Sequence, residues 1–305
     1  MLTRQLHGSG DEIEEPPYMI LLYVMALSMS AGMSFSTCFA VFKWRDVVHD
    51  AGHGSTYMVF LCLGLWLSIG LARVIVVFLN DREDTLENST VLYLSIPFEI
   101  LFNATSLWFI VVAHEIKRRA LHTGASYSQC NRMTVYSSCI FGLALCMLVI
   151  LMALNSSHMM VEEVEYGKPK QVKLVVYAVD IMSWVTMSIR ISAVLYGGAV
   201  ALWLYWKRDR VAMRKLPMAL VWIAGLFCIL NTPYLLIEPF YDWNIIPAER
   251  FPATPSIVKF LTYTSGAILS LVMGLSVAGF DAFFGVYQRT SLSAKTQEEL
   301  FVLSD

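Results

Sequence analysis

Ionisable side chains inside long apolar stretches are where this 305-residue sequence could do chemistry. Arg73, Glu99, Asp180, Arg190, Lys259 and Asp281 lie within or at the edge of such stretches, and Glu238 ends another. Each costs a few kcal/mol in hydrocarbon on insertion scales, so each is a candidate site residue. A carboxylate and a guanidinium at matching depth can neutralise each other or jointly hold a polar ligand. Metal and acid–base chemistry have thinner support. Of six histidines only His114 touches an apolar stretch. His49 and His53 have metal-compatible spacing in a loop, yet two ligands are too few for a site. A Schiff-base lysine would belong near the middle of the last stretch, whereas Lys259 stands at its start. The expectation is no catalytic residue, no metal and no cofactor.

The elements that must position these charges follow from composition. The chain is 57% hydrophobic and 15% charged, against about 45–50% and about 25% in soluble domains. So many apolar residues need a solvent other than water, which excludes a soluble enzyme, a disordered regulator and a secreted disulfide scaffold. Seven segments reach the roughly 20 apolar residues of a membrane span, at about 18–42, 56–79, 91–113, 134–154, 174–204, 218–237 and 257–280. The fold class expected is an all-α membrane protein, a seven-transmembrane helix bundle. It divides into an outward tail over 1–17, the bundle over 18–288 and a cytosolic tail over 289–305. Asp11, Glu12, Glu14 and Glu15 before the first span are the wrong flank for a cleaved leader, so that span is expected to be an uncleaved anchor. No loop exceeds about 20 residues, too short for an appended catalytic domain.

Basic residues orient the bundle. Thirteen of the 22 Lys and Arg fall in the first, third and fifth loops and the C-terminal tail, six fall on the opposite side, and Arg73, Arg190 and Lys259 lie within spans. The N-terminus is therefore expected outside and the C-terminus in the cytosol. Two glycosylation acceptors, Asn88 and Asn155, fall in loops assigned to the outside. None of the six cysteines does, so no outer disulfide is expected.

Depth then groups the charges. Arg73 lies about 7 residues, roughly 10 Å, from the outer end of the second span, and Glu99 about 8 residues, roughly 12 Å, from that of the third. Consecutive spans are usually neighbours, so the two are expected to pair. Asp180 enters the fifth span at similar depth, and Glu238 and Lys259 can approach near the outer surface. Together they could line an outward polar cavity; the alternative is a set of interhelical clamps with no ligand. Arg190 and Asp281 could face each other across the interior. At the third span's inner end, His114 and Glu115 run into Lys117, Arg118 and Arg119. Rhodopsin-like receptors carry an acidic-Arg-aromatic motif at this place, but the likeness is positional. A helix end meeting the headgroups with a basic skirt is the simpler reading. Pro233 is expected to bend the sixth span.

Several stretches resemble one known family. They are Gly70-Leu71-Ala72-Arg73-Val74 in the second span, Ile96-Pro97-Phe98 with Leu101-Phe102 in the third, His114-Glu115-Ile116 at its exit, and Leu195-Tyr196-Gly197-Gly198 in the fifth. In this order, over residues 55–210, the chain resembles plant tobamovirus-multiplication proteins and animal lysosomal orphan seven-helix receptors. The resemblance implies a G-protein-coupled-receptor-like topology in an endolysosomal or vacuolar membrane; apart from the resemblance, the plasma membrane is the other location expected. It also implies recruitment of small GTPases or their regulators to the cytosolic face.

The function expected first is ligand sensing in the outward cavity of Arg73, Glu99, Asp180, Glu238 and Lys259. An unknown small ligand would bind there. Readout to a cytosolic G protein or small GTPase would pass through His114, Glu115, Lys117, Arg118, Arg119, Lys207, Arg208 and Arg210. The alternative is a ligand-independent scaffold using the same basic loops. A small-molecule transporter is disfavoured because no internal repeat is visible. The bilayer is an expected partner, and nucleic acid is not.

Overall fold

The computed structural model describes residues 17–42, 51–79, 88–121, 129–157, 159–165, 168–206, 222–234 and 254–277. Helices dominate, because in hydrocarbon a backbone must satisfy its own N–H and C=O groups. They are α1 (Pro17–Phe42), α2 (Ala51–Leu79), α3 (Ser89–Leu121), α4 (Gln129–Ser157), α5 (Leu174–Trp206), α6 (222–234) and α7 (Thr254–Val277). Six of these, all but α6, are long and apolar enough to cross a membrane by length and composition among the described residues. The chain thus has the architecture of a helical, multi-pass membrane protein.

Most helices run past the apolar limits that the sequence suggested. α2 begins at Ala51 instead of 56, which puts His53 on a helix instead of in a loop. α3 continues to Leu121 instead of 113 and α4 begins at Gln129 instead of 134. The residues Lys117 to Arg119 and Arg132 are therefore helical. Hydropathy marks the hydrocarbon slab, whereas a helix propagates into the interface, where polar side chains meet water.

The all-α expectation needs one correction. Between α4 and α5 the chain forms an antiparallel hairpin of β1 (Met160–Glu165) and β2 (Lys168–Lys173). Its register sets Glu163 opposite Lys170 and Glu165 opposite Lys168, opposite charges at paired positions. The Leu174 N–H donates to the Met159 carbonyl at 2.8 Å and carries the pairing to the start of α5.

α3 is the central helix, with 72% of its apolar window buried, whereas α4 lies at the edge with 11%. α3 packs on α2, α4 and α5, and α1 packs on α2 and α7. One apolar core joins all seven helices, α4 through Ile140, and a second fills the space between the hairpin-side ends of α3, α4 and α5. Close approach is built in at two glycines. A Cβ at Gly197 would stand 2.6 Å from Phe109, and one at Gly266 would stand 2.6 Å from Leu67 and 2.8 Å from the Ser34 hydroxyl. Large apolar side chains elsewhere face outward, among them Leu21 and Met25 on α1 and Leu145, Val149 and Ile150 on α4. Lipid is the solvent such faces require.

Candidate functional site

Three helix faces converge on a polar cluster inside the bundle. Glu99, Phe102, Asn103 and Ser106 recur at helical spacing on one face of α3. Thr186 and Arg190 stand one turn apart on α5, and Phe227, Asn231 and Tyr234 share a face of α6. Arg73 comes from α2.

Arg190 is the centre of the cluster and is 1% exposed. Its guanidinium donates to the Oδ1 of Asn231. The Asn231 amide in turn donates to the Phe227 carbonyl at 2.7 Å, which fixes the way the side chain points. The guanidinium also lies 4.1 Å from the centroid of the Phe102 ring and 5.2 Å from that of Tyr234. Such cation–π contacts gain strength once water is removed. Glu99, itself buried, lies near enough to Arg73 and Arg190 for their charges to act on its carboxyl. The Asn103 amide donates to the Thr186 hydroxyl at 2.9 Å, and that hydroxyl donates to the Met182 carbonyl. Arg73 and Glu99, expected to pair, are both buried and lie beside polar groups from α5 and α6.

Aromatic rings connect this cluster to the opposite wall. Phe102 stacks on Trp66 at 4.7 Å, Trp66 meets Tyr263 at 6.3 Å, and Tyr263 stands edge-on to Tyr23 at 5.4 Å. The Lys259 ammonium lies 5.3 Å from the Tyr23 ring centroid, and the Tyr23 hydroxyl donates to the Ser256 carbonyl at 3.2 Å. Lys259 therefore belongs to the α1–α7 seam. Its expected neighbour Glu238 and the Asp281 proposed for Arg190 lie outside the described residues, as does the Asp180 side chain.

A second cluster joins α3, α4 and α5 at the other end. Glu115 is 1% exposed. It accepts a hydrogen bond from the Tyr136 hydroxyl at 3.1 Å and pairs with Arg118 at 3.2 Å and Arg132 at 3.8 Å. The neighbouring His114, exposed, has its Nδ1 3.4 Å from the Tyr196 hydroxyl on α5. A carboxylate so enclosed is an interhelical clamp, and the arginines that reach it stay partly exposed. Lys117 is half-buried on the same turn. The Arg119 side chain and all of Lys207, Arg208 and Arg210 lie outside the described residues.

Both sequons have defined backbone. Asn88 caps α3, its Oδ1 accepting from the Thr90 N–H at 3.0 Å. Asn155 lies in the last turn of α4 instead of a loop, with the Ser156 and Ser157 hydroxyls bonded to the Met152 and Leu154 carbonyls. The five described cysteines, Cys38, Cys62, Cys139, Cys146 and Cys228, are free thiols. No group of three or more His, Cys, Asp or Glu that could hold a metal occurs among the described residues.

Sequence reasoning missed Asn103, Thr186 and Asn231. Their signal was present as polar residues at i, i+4 spacing within apolar spans, a pattern that marks an interior-facing stripe. No protein-family model matches the chain, and no curated protein matches it.

Proposed function

We propose that the chain is a seven-span, receptor-like signalling protein with its N-terminus outside and its C-terminus in the cytosol. A small ligand is sensed at the Arg73–Glu99–Arg190 cluster, and the basic inner ends of the helices carry the readout to a cytosolic G protein or small GTPase. The observation that supports this most is the bond between Arg190 and Asn231 beside Glu99. It ties α5 to α6 two residues before Pro233, within reach of charges on α2 and α3. A ligand that competes for Arg190 or Glu99 changes how α6 is held, and a proline-weakened helix is the element best able to move. The basic bias of one loop set supports the orientation. The resemblance at the second, third and fifth helices supports an endolysosomal or vacuolar membrane.

Proximity labelling from the cytosolic tail tests the reading. Arg190→Gln, expressed at the level of the native chain, should change which cytosolic proteins are labelled. Unchanged labelling that disappears when Lys117, Arg118 and Arg119 are neutralised would instead establish a ligand-independent scaffold. Solute flux in reconstituted vesicles would overturn both in favour of a transporter.

A further inference from the structure

The inner ends of α3 and α4 carry an arrangement of charge that the outer cluster does not use. The apolar window of α3 closes at Arg118 and that of α4 opens at Arg132, so both guanidiniums stand at one membrane boundary. Both reach the single carboxylate of Glu115, at 3.2 and 3.8 Å. Two guanidiniums thus share this one carboxylate. The anchor is closed off at 1% exposure, while the two arginine side chains are 30% and 25% exposed. The Nε of Arg118 donates to no group among the described residues.

An uncovered apolar track leads from this pair into the membrane. Val135, Cys139, Leu143 and Cys146 follow Arg132 at helical spacing, and all four are exposed. Between them the Cβ position of Gly142 has nothing within 4 Å. A pair of cations at headgroup depth, continuous with a bare helix face, has the shape of a phospholipid.

We propose that Arg118 and Arg132 bind the phosphate of an anionic phospholipid whose acyl chains lie along the exposed face of α4. Guanidinium groups suit phosphate because their planar forks donate paired, charge-assisted hydrogen bonds. Glu115 is a positioning residue: with Tyr136 it holds the two arginines side by side, so the site forms without further ordering of long side chains. The site does not depend on the ligand-sensing reading, because it uses none of Arg73, Glu99 or Arg190.

Native mass spectrometry of the purified full-length protein tests it, with phosphatidylinositol 4-phosphate, phosphatidylserine or phosphatidylcholine titrated into the detergent. Both leaflet-facing ends are accessible there, so the outcome does not depend on orientation. The anionic lipids should bind and phosphatidylcholine should not. Arg118→Gln and Arg132→Gln should each weaken binding about fivefold, the equivalent of about 1 kcal/mol per basic residue. Neutralising Lys207 and Arg208 together should leave binding unchanged. Glu115→Gln separates positioning from bulk charge: it should weaken binding although it makes this end more positive. Tighter binding by that variant, or equal weakening by the Lys207 and Arg208 changes, would overturn the site. Equal affinity for inorganic phosphate would show a free-anion site and overturn the lipid assignment. If Arg132→Gln fails to fold, Arg132→Lys keeps the charge but loses the fork, and should still weaken binding severalfold.

Discussion

A guanidinium persists in hydrocarbon only where hydrogen bonds, opposite charge and polarisable rings replace its water. Arg190 has a hydrogen bond to Asn231 and the ring of Phe102, with the Glu99 carboxyl nearby. Asn231→Leu removes the hydrogen bond, fits apolar surroundings and leaves the charge underserved. The expected loss is about 1–3 kcal/mol, seen as a lower unfolding midpoint in detergent. A double-mutant cycle between Glu99→Gln and Arg190→Gln should give a coupling on the order of 1 kcal/mol; a coupling near zero would mean that the two do not interact. The intramembrane charges themselves were readable in the sequence, because any ionisable residue in an apolar run stands out. Their partners were not. Asn103, Thr186 and Asn231 are uncharged and raise no hydropathy alarm, though they supply most of the hydrogen bonds of the cluster.

At the scale of elements, six spans were legible because each is an uninterrupted apolar run, but their packing depends on single small residues. Gly266 lets α7 approach α1 and α2 closely, since a Cβ there would meet Leu67, Ser34 and Ser30 at 2.6, 2.8 and 3.0 Å. Gly266→Ala should therefore cost about 1–3 kcal/mol as the seam opens. Gly142→Ala, on the bare face of α4 with nothing within 4 Å, should stay within about 0.5 kcal/mol of the native chain. Thermal unfolding of the two variants in one detergent makes the comparison, and equal losses would refute the close α1–α7 seam. The hairpin between α4 and α5 escaped the sequence reading for a related reason. Its strands are short and charged, so the hydropathy windows that find spans pass over it. The change from an acidic run ending at Glu165 to a basic one starting at Lys168 was the available signal.

For the whole molecule, topology is the property on which every functional reading depends. If the N-terminus is outside, as proposed, the segment before α3 faces the glycosylating compartment, and Asn88 is the acceptor expected to be used. Asn155 matches the same pattern but is wound into the last turn of α4. Thr90→Ala removes the first sequon and keeps the Asn88 cap on α3, so it should abolish the glycosidase-sensitive gel shift. Asn155→Gln should leave the shift in place. A shift that depends on Asn155 alone, or no shift in cells that glycosylate a control protein, would count against the proposed orientation or the placement of these residues. The same orientation puts the Glu115 clamp and its two arginines at the cytosolic leaflet, where anionic lipid is concentrated.

The sequence by itself determined that the chain is too apolar for a soluble domain, the approximate place of six apolar helices, and which segments are basic. These properties add up residue by residue along the chain, so one dimension suffices to read them. Tertiary structure decided which charges meet. The Asn103–Thr186 bond spans 83 residues and the Arg190–Asn231 bond 41. Depth in the membrane can be counted along a helix, but the direction a side chain faces is set by how helices pack, and that direction turned separate intramembrane charges into one cluster.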